Sequence, residues 1–401
     1  MKFEKLGKIT KNLDNKRIPL NSSQRDGKSK EGLYPYIGAN NIMDYINEYI
    51  FDEKILCLAE DGGSWGNGQI CANIYNEKCW VNNHAHVLTE NGKANLEYLR
   101  YFLNKEDLNK YITGSTRGKL TKTALENILV PLPPIPVQLH IANLLSKAEN
   151  LISLRKQSIA LLDEFLKSTF LEMFGDTSSN KMKFPIGSIR DVAREVKYGT
   201  SSPAEDAGEY PYLRMNNITS EGYMDFSKLK YINIEVKDKE KYIVRKGDLL
   251  FNRTNSKELV GKTGVFNSDS EMVIAGYLIR VRTNERANPW YLWGYLNSLH
   301  GKQTLFGMCK SIVGMANINA QELQSIKILI PPIELQTQFA QIVEKIESLK
   351  MHYQSSLQEL ENLYGSLSQR AFRGELTLNQ AEEQVLMAAE PEGEYLAYRG
   401  M

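Results

Sequence analysis

Apolar residues recur with one spacing in two long segments of the chain. They alternate in steps of four and three from Ile141 to Met173, and again from Phe339 to Ala371. A repeat of about 3.5 residues is typical of helices that pair in a coiled coil. A helix of about 35 residues is roughly 50 Å long, which exceeds the width of a small domain. The pattern therefore predicts two long helices, within residues 137–178 and 335–378, that pack on each other.

Most of the predicted contact positions in this helix pair are apolar, and a few are polar. Arg155 and Thr169 occupy two of them in the first helix, and Lys350 occupies one in the second. A single polar residue at such a position can fix register or orientation at some cost in stability, which we expect for Arg155 and Lys350. The apolar positions that we assign to the pair are Ile141, Leu145, Ile152, Leu162, Leu166, Phe339, Val343, Ile346, Leu357 and Leu360.

The sequence before each helix is also repeated. Pro133–Pro134–Ile135 followed by Gln138 matches Pro331–Pro332–Ile333 followed by Gln336, at an offset of 198. Further upstream, "YPYIGANNI" matches "YPYLRMNNI" and "LGKI" matches "IGSI", in the same order. Three matches in one order indicate two copies of one module, the second about 22 residues longer in its middle.

Each module is predicted to be a mixed α/β domain. Strands bounded by turns are predicted in "EYIFDEKILCLAE", "KYIVRKGDLLFNR", "GKTGVF" and "EMVIAGYLIRVR". Amphipathic helices are predicted in "NLEYLRYFLNKEDLNKYI" and "NPWYLWGYLNSLHGKQTL". We therefore expect an α+β chain with modules at 1–136 and 179–334, separated by the two long helices as an antiparallel, pseudo-twofold coiled coil.

Composition limits the class of protein. A 42% hydrophobic and 24% charged content is ordinary for a globular chain, and no apolar run approaches the ~18–20 residues that span a bilayer. We find no signal peptide and expect a cytoplasmic protein without membrane contact. The net charge is +1, but nine basic residues face three acidic ones in the first 30 positions. The tail, residues 379–401, is acidic and is predicted to be disordered.

No catalytic set and no metal site is predicted. "LVGKTGV" contains the Gly-Lys-Thr of a phosphate-binding loop, but Ser256 stands where its first glycine belongs, and strand-like residues follow. Cys71, Cys79, His84 and His86 are close in sequence, yet their spacing matches no usual zinc finger. We favour buried, inert cysteines and leave zinc as the less favoured alternative.

Several loops carry side chains suited to nucleic acid. Arg and Lys pair with guanine, Asn and Gln pair with adenine, and Lys, Ser and Thr also bind phosphates. Asn and Gly also make ordinary turns, so each loop alone is a weak indication. The loops occur at like places in both modules, which favours a shared role. The predicted DNA-contact residues are Arg17, Arg25, Asn40, Asn41, Trp65, Arg117, Lys119, Lys122, Arg214, Asn216, Asn217, Asn252, Arg253, Asn255 and Lys262.

From residue 1 to about residue 378, the order of these parts resembles the specificity subunits of type I restriction-modification systems. The resemblance rests on the two "YPY…NNI" segments and on "ILVPLPPIPVQLHIANLLSKAENLI" and "ILIPPIELQTQFAQIVEKIESL". It implies that each module is a target recognition domain for one half of a split, asymmetric site in double-stranded DNA. It also implies that the two long helices set the gap between the halves.

The same resemblance implies that the chain is not an enzyme and holds no cofactor. Its partners would be two methyltransferase subunits, which use S-adenosylmethionine to methylate adenine, and motor-nuclease subunits that need ATP and Mg²⁺. Two other interpretations remain open. The chain could be a coiled-coil scaffold for protein ligands without a role on DNA, or a single-chain nuclease or nucleotide-driven enzyme that uses "GKTG".

Overall fold

The computed structural model describes residues 2–29, 32–114, 116–312 and 315–376, and the acidic segment 379–401 lies outside these residues. The chain divides into two compact units. The first lies within Met1–Gln157 and Tyr353–Met401, and the second is Ser158–His352. Both long helices are cut by this division, so each unit contains one module and about half of each helix.

In the first unit, short strands and helices alternate ahead of the first long helix. The strands are β1 (Phe3–Lys5), β2 (Thr10–Asn12), β3 (Tyr34–Ile37), β4 (Ile42–Ile46), β5 (Ile55–Ala59), β6 (Ala72–Tyr75), β7 (Trp80–Val81), β8 (Ala85–Glu90) and β9 (Leu129–Pro131). The helices are α1 (Leu6–Ile9), α2 (Ser22–Lys28), α3 (Leu96–Lys105), α4 (Lys122–Glu126) and the long α5 (Ile135–Phe174).

The second module follows the same plan with additional elements. Its strands are β10 (Ile186–Ser188), β11 (Ala193–Tyr198), β12 (Tyr210–Leu213), β13 (Lys230–Ile232), β14 (Ile243–Val244), β15 (Leu249–Asn252), β16 (Thr254–Asn255), β17 (Thr263–Val265), β18 (Met272–Ile274), β19 (Leu278–Thr283), β20 (Lys310–Ile312), β21 (Met315–Asn317) and β22 (Lys327–Leu329). Its helices are α6 (Ile189–Val192), α7 (Lys239–Tyr242), α8 (Pro289–Asn297), α9 (Leu299–Met308), α10 (Ala320–Ser325) and the long α11 (Ile333–Arg373).

The two modules share three sheets of corresponding strand order. The first has a sheet of order β2-β8-β5-β6, a sheet of order β4-β3-β7 and the pair β1-β9. The second has the corresponding orders β11-β19-β15-β17, β13-β12-β18 extended by β14, and β10-β22, together with a further sheet of order β16-β21-β20. The strands within the repeated "YPY" segments, β3 and β12, each make one parallel pairing, to β7 and to β18. The repeat seen in the sequence is therefore a duplicated fold.

The repeated glutamine fastens each long helix to its module. The side-chain oxygen of Gln138 accepts a hydrogen bond from the backbone N–H of Asn95 at 2.9 Å, and that of Gln336 does the same for Asn288 at 2.9 Å. Each side-chain amide then donates to the first carbonyl of its proline pair, Pro133 or Pro331, at 2.8 Å. Both glutamines are fully buried, so their amide groups need these partners.

In the first unit, the start of α5 and the end of α11 share the core of the module. Ile141 and Leu145 are buried in one apolar cluster with Leu367 and Ala371. Arg155 lies with its guanidinium 4.4 Å from the centre of the Tyr353 ring. Because the beginning of one helix packs beside the end of the other, the two run antiparallel within this unit.

The second unit repeats this arrangement with the other helix halves. Leu166, Phe170 and Phe174 of α5 pack with Phe339 and Val343 of α11 in the core of the second module. The Phe170 and Phe339 rings lie 5.4 Å apart. Thr169 is also buried, at 8% exposure, as expected for its contact position.

The predicted contact positions near the middle of the helices are less buried. Ile152, Leu162, Ile346 and Leu357 are half-buried, whereas Leu360 is buried. Lys350 is also buried, and its ammonium lies 2.7 Å from the Asp163 carboxylate. The polar positions in the predicted seam are therefore paired.

Two predicted helices and two predicted strand segments are interrupted, and one of these segments, "KYIVRKGDLLFNR", forms β14 and β15. The helix predicted over residues 95–112 ends at Lys105, and Glu106 is extended. The helix predicted over residues 288–305 is two helices, because Ser298 is extended and its hydroxyl caps α9 by accepting from the Gly301 N–H. The segment "EMVIAGYLIRVR" forms two strands, β18 and β19. None of the described helices has an apolar stretch long enough to cross a membrane.

Candidate functional site

Two polar loops of the first module are joined by backbone hydrogen bonds. One follows β5 at Glu60, and the other runs from Thr113 to Thr121 ahead of α4. The Leu120 N–H donates to the Glu60 carbonyl at 2.7 Å, and Thr113 and Lys119 exchange backbone hydrogen bonds at 2.9 and 2.7 Å. The loops therefore form one surface, although their residues are far apart in sequence.

The predicted contact residues on this surface are exposed and paired with acidic residues. The Arg117 guanidinium donates to the Asp61 carboxylate at 2.8 Å, and the Lys119 ammonium lies 3.1 Å from Glu60. The Arg117 and Lys119 side chains are 64% and 49% exposed. Lys122, at the start of α4, is also exposed. These three side chains are accessible to a ligand.

Arg17 has a different environment. Its side chain is only 13% exposed, and it donates to Glu60 at 2.6 Å and to the Ala85 carbonyl at 2.7 Å. Burial acts to raise the pKa of Glu60, but hydrogen bonds from Arg17 and Lys119 hold it below its ordinary value. Arg17 therefore stabilises the base of the loops.

A candidate metal-ligand group, the one found among the described residues, lies beside Arg17. It consists of Asp14, Glu60 and the buried His86. His86 is engaged through both ring nitrogens, at 2.6 Å from the Asp14 carboxylate and 2.8 Å from the Leu120 carbonyl. With Arg17 bonded to Glu60, the donor atoms already have partners, and the group fits a polar network better than a cation site.

The cysteines considered for zinc are buried thiols. Cys71 and Cys79 are 1% and 0% exposed. Burial raises the pKa of each thiol to about 12. A zinc ligand must be a thiolate, so this environment favours the inert role.

The other predicted residues of the first module differ in exposure. Arg25 lies over the Tyr36 ring at 5.5 Å, and Asn41 is exposed next to the half-buried Asn40. Trp65 is 5% exposed, and its indole N–H donates to the Ala59 carbonyl at 3.2 Å. The buried Trp65 ring therefore anchors the glycine-rich segment "GGSWGNG", residues 62–68, to the end of β5.

In the second module, the segment after β12 is held by one asparagine. Asn217 is 2% exposed, and its side chain accepts from the Arg214 N–H at 2.9 Å and donates to the Asp225 carbonyl at 2.8 Å. Arg214 is half-buried, whereas Asn216 is exposed. Asn217 thus shapes the turn, and Asn216 faces solvent.

The loop after β15 places Arg253 against an aromatic ring. Its guanidinium lies 4.8 Å from the centre of the Tyr198 ring, and Asn255 is half-buried in β16. Asn252 is fully buried, and neither polar atom of its side chain has a hydrogen-bond partner. Arg253 and Asn255 are therefore half-buried, whereas Asn252 is enclosed.

Lys262 and the "GKTG" segment do not form a phosphate-binding loop. Strand β17 follows the glycine and lysine, as the sequence predicts, where a phosphate-binding loop would need a helix. The Lys262 ammonium is buried and donates to the carbonyls of Met215 and Ile218 at 3.0 and 2.5 Å. Burial lowers the pKa of this lysine. Trp65, Asn217, Asn252 and Lys262 are thus enclosed, and we interpret them as internal residues.

The acidic partners are not predicted from the sequence. Glu60 and Asp61 follow an apolar strand and precede "GGSWGNG", and this position at a strand end is the sequence signal that could indicate them. The His84 ring nitrogen lies 2.7 Å from the Asp61 carboxylate. Arg117 and Lys119 on this surface are therefore each paired with a neighbouring carboxylate.

Comparison of this sequence with known protein families agrees with the duplicated architecture. A family model described as the type I restriction modification DNA specificity domain matches residues 1–164 and 178–362. A putative type I restriction enzyme specificity subunit from Haemophilus influenzae is 26% identical over 378 residues, covering 87% of this chain and 88% of that one. The EcoKI specificity subunit of Escherichia coli is 23% identical over 309 residues, covering 72% and 66%.

A solved structure has a similar fold. The S subunit of a type I restriction-modification system from M. genitalium superposes with a TM-score of 0.62 at 13% identity, covering 92% of this chain and 96% of that one. Two matches to the family model, one on each module, together cover most of the sequence. The chain therefore belongs to the family of type I restriction-modification DNA specificity proteins.

Proposed function

We propose that each module of this chain recognises one half of a split, asymmetric site in double-stranded DNA, and that α5 and α11 set the gap between the halves. The observation that carries the proposal is the duplication. Two modules of one topology each share a core with both long helices. Two similar binding modules joined by long helices suit a ligand in which half-sites are separated by helical turns.

Accessible side chains in both modules support the proposal. In the first module Arg117, Lys119 and Lys122 are exposed, and in the second Asn216 is exposed while Arg253 and Asn255 are half-buried. Arginine and asparagine bind base edges in the major groove, and lysine positions a protein on phosphates. These residues lie on different loops of the two modules, ahead of α4 in the first and after β12 and β15 in the second. Different contact loops suit two modules with different target sequences.

The low net charge of the chain supports the proposal that it needs partner subunits to bind DNA. The chain has a net charge of only +1, and Arg17, Arg117 and Lys119 are paired with acidic residues of the same module. Much of the affinity of DNA-binding proteins comes from cations that neutralise phosphates. We therefore propose that the chain binds DNA tightly only as part of a complex.

That complex would contain two methyltransferase subunits and motor-nuclease subunits, in the cytoplasm. The chain itself would be non-catalytic and would hold no cofactor. The methyltransferase subunits would use S-adenosylmethionine, and the motor-nuclease subunits would use ATP with Mg²⁺.

The test is to co-express the chain with methyltransferase subunits encoded beside it and to map methylated adenines across the host genome. We expect a split motif with two defined halves and a constant gap, and exchange of one module should change one half only. A continuous motif would contradict the role of the helices as a spacer. No motif would favour the scaffold alternative, and cleavage by the isolated chain would favour the nuclease.

A second experiment tests the spacer directly. Seven residues would be inserted into both helices at matched positions, after Gln157 and after Ser355. One heptad preserves the contact pattern and lengthens each helix by about 10 Å. At ~3.4 Å per base pair, we expect a gap about three base pairs longer with both halves unchanged. An unchanged gap in a folded, active complex would contradict the spacer role.

A further inference from the structure

On the surface formed by the two loops of the first module, Asp61 forms an ion pair with the exposed Arg117. Its carboxylate oxygen Oδ1 accepts from the Arg117 guanidinium at 2.8 Å and lies 2.7 Å from Nδ1 of His84. The Asp61 side chain is 18% exposed, whereas that of Arg117 is 64% exposed. The carboxylate is therefore sheltered behind a guanidinium that faces outward.

The backbone around this ion pair brings the two loops close together. Asp61 and Lys119 form an isolated antiparallel bridge. Gly62 has φ +64°, a left-handed conformation that favours glycine. At Gly114, with φ +97°, a Cβ would collide with the Arg117 carbonyl oxygen. Gly114 therefore permits the close turn that carries Arg117 towards Asp61.

The Arg117 guanidinium, oriented by Asp61, can donate hydrogen bonds to a second, planar acceptor. It carries five N–H donors in a fixed fork, and the contact with Asp61 uses one terminal nitrogen. The other donors can form a pair of parallel hydrogen bonds, the geometry that arginine adopts with O6 and N7 of guanine. Because the side chain is already ordered, less conformational entropy is lost on binding.

The acidic neighbours favour a base edge over a phosphate. Glu60 and Asp61 bring two negative charges next to Arg117 and Lys119, so the four groups are close to neutral together. The adjacent carboxylates weaken the attraction of the guanidinium for a phosphate. The edge of guanine is uncharged, so hydrogen bonding to it does not depend on an excess of positive charge.

We propose that Asp61 is a positioning residue that aims Arg117 at the major-groove edge of one guanine in the half-site of the first module. The inference rests on the proposed function and names a determinant of its specificity. His84, bonded to the same oxygen, supports the carboxylate from the other side.

The test uses the complex of the full chain with its methyltransferase subunits. Binding is measured to duplexes that carry the mapped site or one replaced base pair. Arg117→Lys should lower discrimination at one guanine about tenfold or more. Asp61→Asn should lower it at the same position about two- to fivefold, the range of an exposed ion pair. Asp61→Glu should restore most of it.

Two controls separate positioning from a general structural effect. Asp52→Asn removes an exposed ion pair to Lys78 elsewhere in the module and should leave every position unchanged. The double variant Asp61→Asn with Arg117→Lys should discriminate no worse than Arg117→Lys alone, because Asp61 acts through the arginine.

Several results would overturn the inference. It fails if Asp61→Asn leaves the guanine preference intact while Arg117→Lys removes it, or if the two effects add. Equal weakening on all duplexes by Arg117→Ala would identify a phosphate contact instead. A wild-type complex without any defined site would overturn the proposed function as well, whereas a defined site untouched by Asp61→Asn overturns the inference alone.

Discussion

Arg155 and Tyr353 occupy the same position in the two copies of the repeat, and they contact each other. The offset between the two helices is 198 residues, which carries Arg155 onto Tyr353. The guanidinium lies 4.4 Å from the ring centre. When two equivalent helices pair antiparallel, a residue faces its own counterpart only at the centre of the pair. The sequence thus places a cation and an aromatic ring at the one position where such a pair forms.

The first prediction concerns this contact. Tyr353→Leu keeps an apolar side chain but removes the ring, and it should lower the free energy of unfolding by about 0.5–1 kcal/mol. Equilibrium denaturation of Tyr353→Leu, Arg155→Met and the double variant gives the coupling between them. A coupling indistinguishable from zero would show that the two side chains contribute independently.

The second prediction concerns stability and pH. Burial raises the pKa of Glu347 to about 7, and its neighbour Lys350 only partly opposes this. A carboxyl whose pKa is higher in the folded state than in the unfolded state binds more protons when folded. Its contribution to stability is therefore lost as pH rises from about 4.5 to about 7.

Glu347→Gln should remove this loss. We expect the variant to be more stable than the wild type at pH 8, on the order of 2 kcal/mol, and nearly equal to it at pH 4.5. Thermal or denaturant unfolding at both pH values checks this, with the exposed Glu344→Gln as a matched control. A stability difference that does not depend on pH would contradict the assigned protonation.

The third prediction concerns the two repeated glutamines. Gln138→Ala and Gln336→Ala each remove the partner of a backbone N–H and of a proline carbonyl at a junction that is at least partly buried. Each should cost about 1–3 kcal/mol, with faster hydrogen exchange at the start of α3 or α8 in the affected unit alone. Gln157→Ala, on the exposed face of α5, is the control. Equal exchange in variant and wild type would mean that the junction is held by packing.

The fourth prediction concerns the second module. Arg253→Ala should relax one base position in the half-site that module exchange assigns to the second module, with a loss of about 1–3 kcal/mol in discrimination. Lys122→Ala, in the first module, should instead weaken binding to all sequences and reduce the salt slope by about one. Binding measured across a series of salt concentrations and single-site substitutions separates the two behaviours. If Arg253→Ala instead lowers base discrimination in the first half-site, the proposal that each module reads its own half-site is contradicted.

The sequence by itself determined the duplication and the two long helices. A helical period is a local property, so the spacing from Ile141 to Met173 could be recognised without knowledge of any partner. The matched Pro-Pro-Ile and Gln positions gave the order of parts in the same way. The comparisons confirmed the family that this order resembles.

Only the tertiary structure decided which of the predicted contact side chains are exposed and which residues they are bonded to. Trp65 and Lys262 have the residue types of contact residues, but packing encloses both, and no local pattern distinguishes an enclosed lysine from an exposed one. Asp61 and Arg117 are 56 residues apart, and they meet because backbone bonds join two loops. Ser298 similarly breaks a predicted helix through a cap that depends on the backbone around it. Contacts between residues far apart in sequence depend on how strands pair and how loops pass each other. A local sequence pattern does not give the spatial distance between such residues.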